Sequence, residues 1–411
     1  MTRSKLLSKE VLFKRDMFIA FVHGFSCGLP LLITITLLQA WMKERGIDLT
    51  TIGLISLVGI PYTIKFLWAP LLDRFNIWRW ERRRGWIIFS QILLIFSISS
   101  LSFSDPKSSI TWVIIVSLMI TLFSATQDIA VDAYRRESFP DKELGLASSL
   151  YINGYRIGML LCSSGGLILA DHIPFRMVFT VISMFLIPPF VITVWIAPEP
   201  VHLKGKPQTL KEAVIDPLRD YFKRQGAITI LVFIVLYKIG DSMASSMTIP
   251  FYLEMGYSKT DIGTVAKFFG FGATLLGTLI GGAGVLKWGI YRSLWIFGLL
   301  QAISTSGFSL LYWIKKGIIM LAAVIGFENI TSGMGTSAFV AYMASITNKR
   351  FTATQYALLS SLMGIPRVFA SSLTGFLAKE AGWPLFFIIC TALAIPGLII
   401  LLLIRENMEQ T

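Results

Sequence analysis

Cysteine and histidine are nearly absent from this 411-residue chain, which holds three of each. Cys27, Cys162 and Cys390 all fall in apolar stretches at no ligand spacing, so they read as small apolar side chains and no disulfide framework or zinc site is expected. His23, His172 and His202 form no HExxH pair, and the chain carries no GxSxG, CxxC or P-loop pattern. An intramembrane hydrolase or transferase therefore lacks its catalytic constellation, and neither a cofactor nor a metal is expected. Charge is scarce too, at 15% of residues. What is abundant is apolar: 54% of the chain is hydrophobic and the mean hydropathy is +0.68.

Apolar runs of about 20 residues recur to the C-terminus, which is the pattern of a polytopic all-α membrane protein. Twelve spans are predicted, at 17–40, 50–72, 85–103, 110–133, 144–170, 174–197, 226–253, 261–286, 292–314, 317–346, 353–378 and 383–404. Residues 198–225, with their Pro-Glu-Pro and Lys-Gly-Lys-Pro text, read as a tether carrying a short amphipathic helix. The net charge of +13 does not point to nucleic acid, because of where the cations lie. With the N-terminus inside, 24 of the 37 Lys and Arg fall on cytoplasmic segments, 8 outside and 5 within spans. Both termini are then cytoplasmic. Residues 1–16 lead into a full-length span with no small-residue cleavage site, so the first span is expected to stay as the targeting signal.

The chain repeats itself once. Ala133-Tyr134, Leu146-Ala-Ser-Ser-Leu150 and Arg156 return as Ala341-Tyr342, Leu358-Leu-Ser-Ser-Leu362 and Arg367, at offsets of 208, 212 and 211 residues. Two six-span halves in parallel order, 1–197 and 226–411, joined by the 198–225 linker, describe the major facilitator architecture. Ala69-Pro-Leu-Leu-Asp-Arg74 followed by Arg82-Arg-Arg84 resembles the loop signature of that superfamily, with Pro70 where a glycine is usual. The matching second-half loop, Leu286-Lys287-Trp288-Gly289, has a lysine in place of the aspartate and is expected to lack the charge pairing.

A narrower resemblance follows from Tyr62-Thr-Ile-Lys-Phe-Leu-Trp-Ala-Pro-Leu-Leu-Asp-Arg74, Gln127-Asp-Ile with Asp132-Ala, Gly154-Tyr-Arg-Ile-Gly158, Tyr237-Lys-Ile-Gly-Asp241, Glu328-Asn with Gly333-Met-Gly-Thr-Ser-Ala-Phe-Val340, and Ala353-Thr-Gln-Tyr-Ala-Leu-Leu-Ser-Ser361. Together they resemble the AmpG muropeptide permease family. The resemblance implies a bacterial inner-membrane permease that imports GlcNAc-1,6-anhydro-MurNAc and its peptides by proton symport and alternating access. Its partners are lipid, protons and a small anionic glycopeptide, and a monomer is expected. Two alternatives stay open: an acetyl-CoA or other anionic-metabolite transporter of the same superfamily, and a non-transporting sensor or scaffold. Intact Asp128, Asp241 and Glu328 argue against a scaffold, which gains nothing from buried carboxylates.

Nine ionisable groups fall within the spans: Lys65, Asp128, Asp132, Arg156, Lys238, Asp241, Lys267, Glu328 and Arg367. Each is expensive in a bilayer unless paired or wetted. In the superfamily, spans one, four, seven and ten surround the cavity; by the resemblance these bring His23, Asp128, Asp132, Lys238, Asp241, Glu328 and Asn329. Asp132 has Arg135 and Arg136 within one turn and reads either as an ion-pair member of an inner gate with Asp73, Arg74, Arg83 and Arg135, with Arg74 or the Arg82–Arg84 run as further candidate partners, or as part of the transport chemistry. Asp128 reads either as a protonation site or as a partner of Arg156. Lys238 and Asp241, three residues apart, form either a self-neutralised pair or a proton switch, and Glu328 has Lys267 or Arg367 as candidate partners. The proton-coupling candidates are thus Asp128, Asp241 and Glu328. Substrate carboxylates would be met by Lys65, Arg156, Lys238, Lys267 and Arg367, and sugar faces by Tyr62, Trp68, Tyr155, Tyr237 and Tyr252. His23 is read as an interhelical hydrogen bond or a step in a proton route.

Overall fold

The computed structural model describes residues 14–47, 55–77, 82–200, 209–257, 261–314, 317–365 and 374–409, and among these there is helix and no strand. Eight helices among the described residues are long and apolar enough to cross a membrane: Arg82–Leu101, Ile110–Ser138, Phe175–Trp195, Ala227–Tyr252, Thr264–Trp288, Ile290–Ile314, Ile318–Ser345 and Trp383–Ile404. Large apolar side chains such as Phe96, Trp195, Phe268 and Ile319 stand exposed on them. That surface is unfavourable in water and expected in lipid.

The other four expected spans fall on interrupted helices, each with a local cause. The first runs through Arg15–Leu32, a π segment at Ile33–Leu37, and Leu38–Glu44. Pro30 removes one backbone donor, and a β-branched Ile-Thr-Ile-Thr run begins three residues later at Ile33. The fifth has a second π segment, Leu161–Gly165, where the Ser163 hydroxyl bonds back to the Met159 carbonyl at 2.8 Å. The second breaks into short turns at Ile55–Gly59, Ile60–Ile64, Lys65–Leu67 and Ala69–Arg74, with Pro61 and Pro70 each in the first turn of a helix. The eleventh shows Thr352–Ile365 and Thr374–Ala381, with 366–373 outside the described residues.

The helices that carry the site are numbered in chain order: α1 (Arg15–Leu32), α2 (Ala69–Arg74), α3 (Arg82–Leu101), α4 (Ile110–Ser138), α5 (Asp141–Leu160), α6 (Ala227–Tyr237), α7 (Ile239–Glu254), α8 (Gly270–Trp288), α9 (Ile290–Ile314), α10 (Ile318–Ser345) and α11 (Thr352–Ile365). Two compact units contain them. Unit 1 comprises Met1–Pro140, Leu150–Pro217 and Thr347–Leu358; unit 2 comprises Asp141–Ser149, Leu218–Ile346 and Leu359–Thr411. The unit 1 core gathers Leu29, Ile33, Trp41, Ile98, Val116 and Phe179, and that of unit 2 gathers Phe251, Phe308, Leu321, Ile325, Phe386 and Phe387.

Glycines set one close crossing in each unit. In unit 1, a Cβ on Gly24 or Gly28 of α1 would overlap the carbonyls of Tyr151 and Tyr155 on α5, while one on Gly154 or Gly158 would overlap the Phe21 and Phe25 carbonyls in return. In unit 2, Gly277 and Gly281 of α8 meet the backbone of Ile330 and Met334 on α10, and Gly333 meets Thr274. Such small-residue faces let backbones approach where lipid supplies no hydrophobic drive. They hold Tyr155, Arg156 and Asn329 at fixed heights beside neighbouring helices.

Candidate functional site

The most densely bonded ionic cluster lies in unit 1. Asp73, fully buried at the end of α2, accepts Arg83 Nη2 at 2.7 Å and the Ala353 amide at 3.2 Å on Oδ1. Its Oδ2 accepts the Thr354 amide at 2.9 Å and the Thr354 hydroxyl at 2.7 Å. The carboxylate thus satisfies first-turn amides of α11, where a negative charge is also favoured by the helix dipole. Arg83 binds Glu137 through Nε at 3.0 and 3.1 Å and Nη2 at 2.6 Å, and gives Nη1 to the Leu72 carbonyl at 3.0 Å. Arg82 adds a second cation on Glu137 at 3.1 Å. Two carboxylates face two guanidiniums, so the buried cluster is neutral. Glu199 accepts the amides of Arg83 and Arg84 at 2.8 Å each and so caps α3.

Deeper on α4, the i, i+4 spacing puts Asp128 and Asp132 on one face. Asp132 pairs with Arg135 at 3.0 Å, and Arg135 Nη2 also donates to the Tyr356 hydroxyl at 2.9 Å. The guanidinium lies 4.2 Å from the centroid of the Tyr151 ring, a cation–π contact. Asp128 is different. It is buried, closes no ion pair among the described residues and leaves Oδ1 without a hydrogen-bond partner. Lys65, buried on the short turn of the second span, acts electrostatically on both Asp128 and Asp132 without touching either.

Beside them Ser26 Oγ accepts Gln91 Nε2 at 3.1 Å and Gln127 Nε2 at 2.6 Å. His23 Nε2 lies 3.3 Å from Thr193 Oγ1, whose own proton goes to the Pro189 carbonyl at 2.8 Å, so the imidazole is the donor and the Nε2–H tautomer follows. His23 thus makes the interhelical hydrogen bond.

Unit 2 holds the second set. The helix of the seventh span breaks at Lys238, between α6 and α7. Lys238 Nζ donates to Asp241 Oδ2 at 3.2 Å and to Thr336 Oγ1 at 3.1 Å. On α10, Glu328 Oε2 accepts the Ser304 hydroxyl at 2.5 Å, and Thr305 lies 3.3 Å from Oε1, both hydroxyls coming from α9. Asn329 accepts from Thr274 at 2.8 Å and donates to the Ile325 carbonyl at 2.9 Å. Asp241, Glu328 and Asn329 line one cavity of about 150 Å³, with Ser245, Thr248 and Tyr252 among its other walls.

Several expected pairings are corrected by this geometry. Of the candidate partners of Asp132, the adjacent Arg135 takes it and not Arg74 or the Arg82–Arg84 run, because Glu137 and Asp73 already engage Arg82 and Arg83. Arg74 instead lies 4.8 Å over the Phe75 ring. Asp128 forms no pair with Arg156, which is half-buried on α5. Among the described side chains Glu328 has hydroxyl partners, not a cation; the Lys267 side chain and all of Arg367 lie outside the described residues.

Among the aromatics, Tyr237 stacks on Phe339 at 5.1 Å and gives its hydroxyl to the Leu294 carbonyl, Trp68 donates to Thr126 at 3.1 Å, and Tyr252 belongs to the unit 2 core while edging the cavity. Tyr62 and Tyr155 are half-buried. Glu137, Glu199, Thr354, Tyr356, Ser304 and Thr336 were not anticipated as partners. Glu137 had a signal, since it follows Arg135-Arg136 directly. Hydroxyl partners on other helices have none in a single sequence.

The Major Facilitator Superfamily model matches residues 17–371. The anhydromuropeptide permease of Escherichia coli K12 is 41% identical over 395 residues, covering 96% of this chain and 80% of that protein. Putative transporter AmpG 4 of Rickettsia felis is 34% identical over 405 residues, covering 96% of this chain and 97% of that protein. Two solved structures share the fold at 13% identity. The human organic anion transporter MFSD10 superposes with a TM-score of 0.73 over 94% of this chain and 99% of that one. The proton:xylose symporter XylE, bound to 6-bromo-6-deoxy-D-glucose, superposes with a TM-score of 0.71 over 94% of each chain.

Proposed function

The chain belongs to the AmpG permease family of the major facilitator superfamily, and from that premise we propose that it imports anhydromuropeptides, GlcNAc-1,6-anhydro-MurNAc and its peptides, across a bacterial inner membrane by proton symport and alternating access. It is a multi-pass membrane transporter of a family of permeases, not enzymes. The observation that carries the cargo is the chain-long match to the E. coli anhydromuropeptide permease, at 41% identity over 96% of this chain. The two six-span halves, 1–197 and 226–411, and the inward placement of both termini belong to the same reading.

The buried charges supply a physical reason for coupling. Asp128, with no ion pair among the described residues and Lys65 acting on it at longer range, can change protonation without breaking a salt bridge. Asp241 has Lys238 as a partner that protonation would release. One proton moving down 100 mV provides about 2.3 kcal/mol, enough for modest accumulation. Uptake of radiolabelled GlcNAc-anhydro-MurNAc into proteoliposomes tests this, with and without an inward proton gradient, for wild type, Asp128→Asn and Asp241→Asn. Gradient-driven uptake is expected in wild type and is lost in the variant that removes the coupling carboxylate. Absence of uptake by folded wild type, or uptake indifferent to the gradient, overturns the reading.

A further inference from the structure

The unit 2 cavity is rich in acceptors. Ser245 gives its proton to the Ser242 carbonyl at 3.1 Å and Thr248 gives its proton to the Ser245 carbonyl at 3.0 Å. Both hydroxyls therefore present lone pairs to whatever enters. One N–H of the Asn329 amide goes to the Ile325 carbonyl. Two carboxylates, Asp241 and Glu328, and the Ser332 side chain join them in the lining, and the aromatic rings of Tyr252 and Phe308 form part of the remainder.

Among the described side chains the charges do not cancel. Lys238, the cation acting here among the described residues, is held by Asp241 at 3.2 Å and by Thr336 at 3.1 Å. Among the described side chains Glu328 has the hydroxyls of Ser304 and Thr305. A pocket with two carboxylates against one lysine among the described side chains, spare lone pairs and aromatic walls matches a group that brings N–H donors and a positive charge. An anionic group would meet like charge there.

We propose that this cavity is an ammonium subsite, which takes the free protonated amine of a peptide-bearing cargo with Glu328 as its counter-ion. The inference rests on the muropeptide reading for the identity of the cargo and deepens it: the subsite reads the peptide, not the sugar. Peptides ending in a diamino acid with a free side-chain amine are then favoured over those whose amine is blocked.

The test uses the full chain in proteoliposomes and two cargoes, a GlcNAc-anhydro-MurNAc peptide with a free diamino-acid amine and the same molecule N-acetylated at that amine. Below saturation, wild type should take up the free amine about tenfold faster, equivalent to ~1.4 kcal/mol of binding. Glu328→Gln should bring that ratio close to one, and Thr248→Val should bring it to an intermediate value. Because the readout is a ratio within one preparation, loss of folded protein cancels. A wild-type ratio of one overturns the subsite, as does a ratio that survives Glu328→Gln.

If folded wild type carries neither cargo, the muropeptide reading fails and a binding measurement decides the subsite separately. Cadaverine should then raise the thermal unfolding temperature of the detergent-solubilised wild type and leave Glu328→Gln unmoved. Equal shifts in both, or none in wild type, overturn it.

Discussion

The loops after the second and eighth spans occupy corresponding places in the two repeats, yet their central residues behave in opposite ways. Asp73 is fully buried, bonded to Arg83 and seated on the first-turn amides of α11. Lys287 is exposed, with its ammonium 5.8 Å from the Trp288 ring. One loop is fastened by charge and the other is not. A buried, fully bonded ion cluster resists removal of any one member, whereas an exposed cation over a ring is worth little. Among the described residues the first of these loops thus carries a buried ionic joint and the second does not, and substitutions at the paired positions should separate in size.

The largest effect is expected at Arg83. Arg83→Ala leaves Asp73 buried without its cation and Glu137 with Arg82 alone, at a cost of about 3–5 kcal/mol. Thermal unfolding of the purified protein in detergent should show the largest fall of the series. A fall no greater than that of Lys287→Met would dissolve the contrast between the loops. Asp73→Asn comes next. It keeps shape and one acceptor for the Thr354 amide but loses the charge, at about 2 kcal/mol. Because the same carboxylate faces both Arg83 and α11, the double variant Asp73→Asn with Arg83→Ala should lose less than the sum of the two singles. Additive losses would mean that the pair does not act as a unit.

The sequence disclosed much of this joint and little of its counterpart in the membrane. The Ala69–Arg74 and Arg82–Arg84 motifs marked a charged loop, and the repeat text marked its twin, because both are local in the chain. The partners that complete the joint, Glu137 and Thr354, lie 54 and 281 residues away from the groups they bind, and no periodicity links them. Asp128 and Asp132 were legible as one helix face from their spacing alone. That Asp132 would choose Arg135 depended on Arg83 being occupied elsewhere, which is a property of packing. For Glu328 charge counting looks for a cation, and what it could not supply is that the helix beside it offers the hydroxyls of Ser304 and Thr305. The eight spanning helices found among the described residues were readable from apolar runs, but the interruptions at Ile33–Leu37 and Leu161–Gly165 depend on backbone bonding that hydropathy does not register.

Glu328 extends the comparison into the interior of unit 2. Its hydroxyl partners can hold a carboxyl in either charge state, so Glu328→Gln should cost only about 1 kcal/mol of stability, well below Arg83→Ala. Ser304→Ala removes the 2.5 Å hydrogen bond and should act in the same direction on the same scale. Thermal unfolding of both variants beside Arg83→Ala checks the order. If Glu328→Gln destabilises as strongly as Arg83→Ala, the carboxylate has a cation partner after all, and Lys267 is the first to substitute.

The smallest effect belongs to Lys287. The Lys287→Met change keeps the length of the side chain, removes the charge and leaves the ring contact apolar, so stability should move by no more than about 0.5 kcal/mol. Gly289, at φ +80°, ends α8 in a conformation that glycine adopts without strain, so the turn does not depend on the lysine to form. Installing the other repeat's residue is the sharper version. Lys287→Asp puts a carboxylate close to the C-terminus of α8, where the helix dipole opposes it, and should cost slightly more than Lys287→Met. Equal unfolding temperatures for wild type and Lys287→Met, with Lys287→Asp a little lower, would show that this loop's lysine replaces the charged joint of the first repeat with nothing, leaving α8 to be held by its glycine crossing with α10.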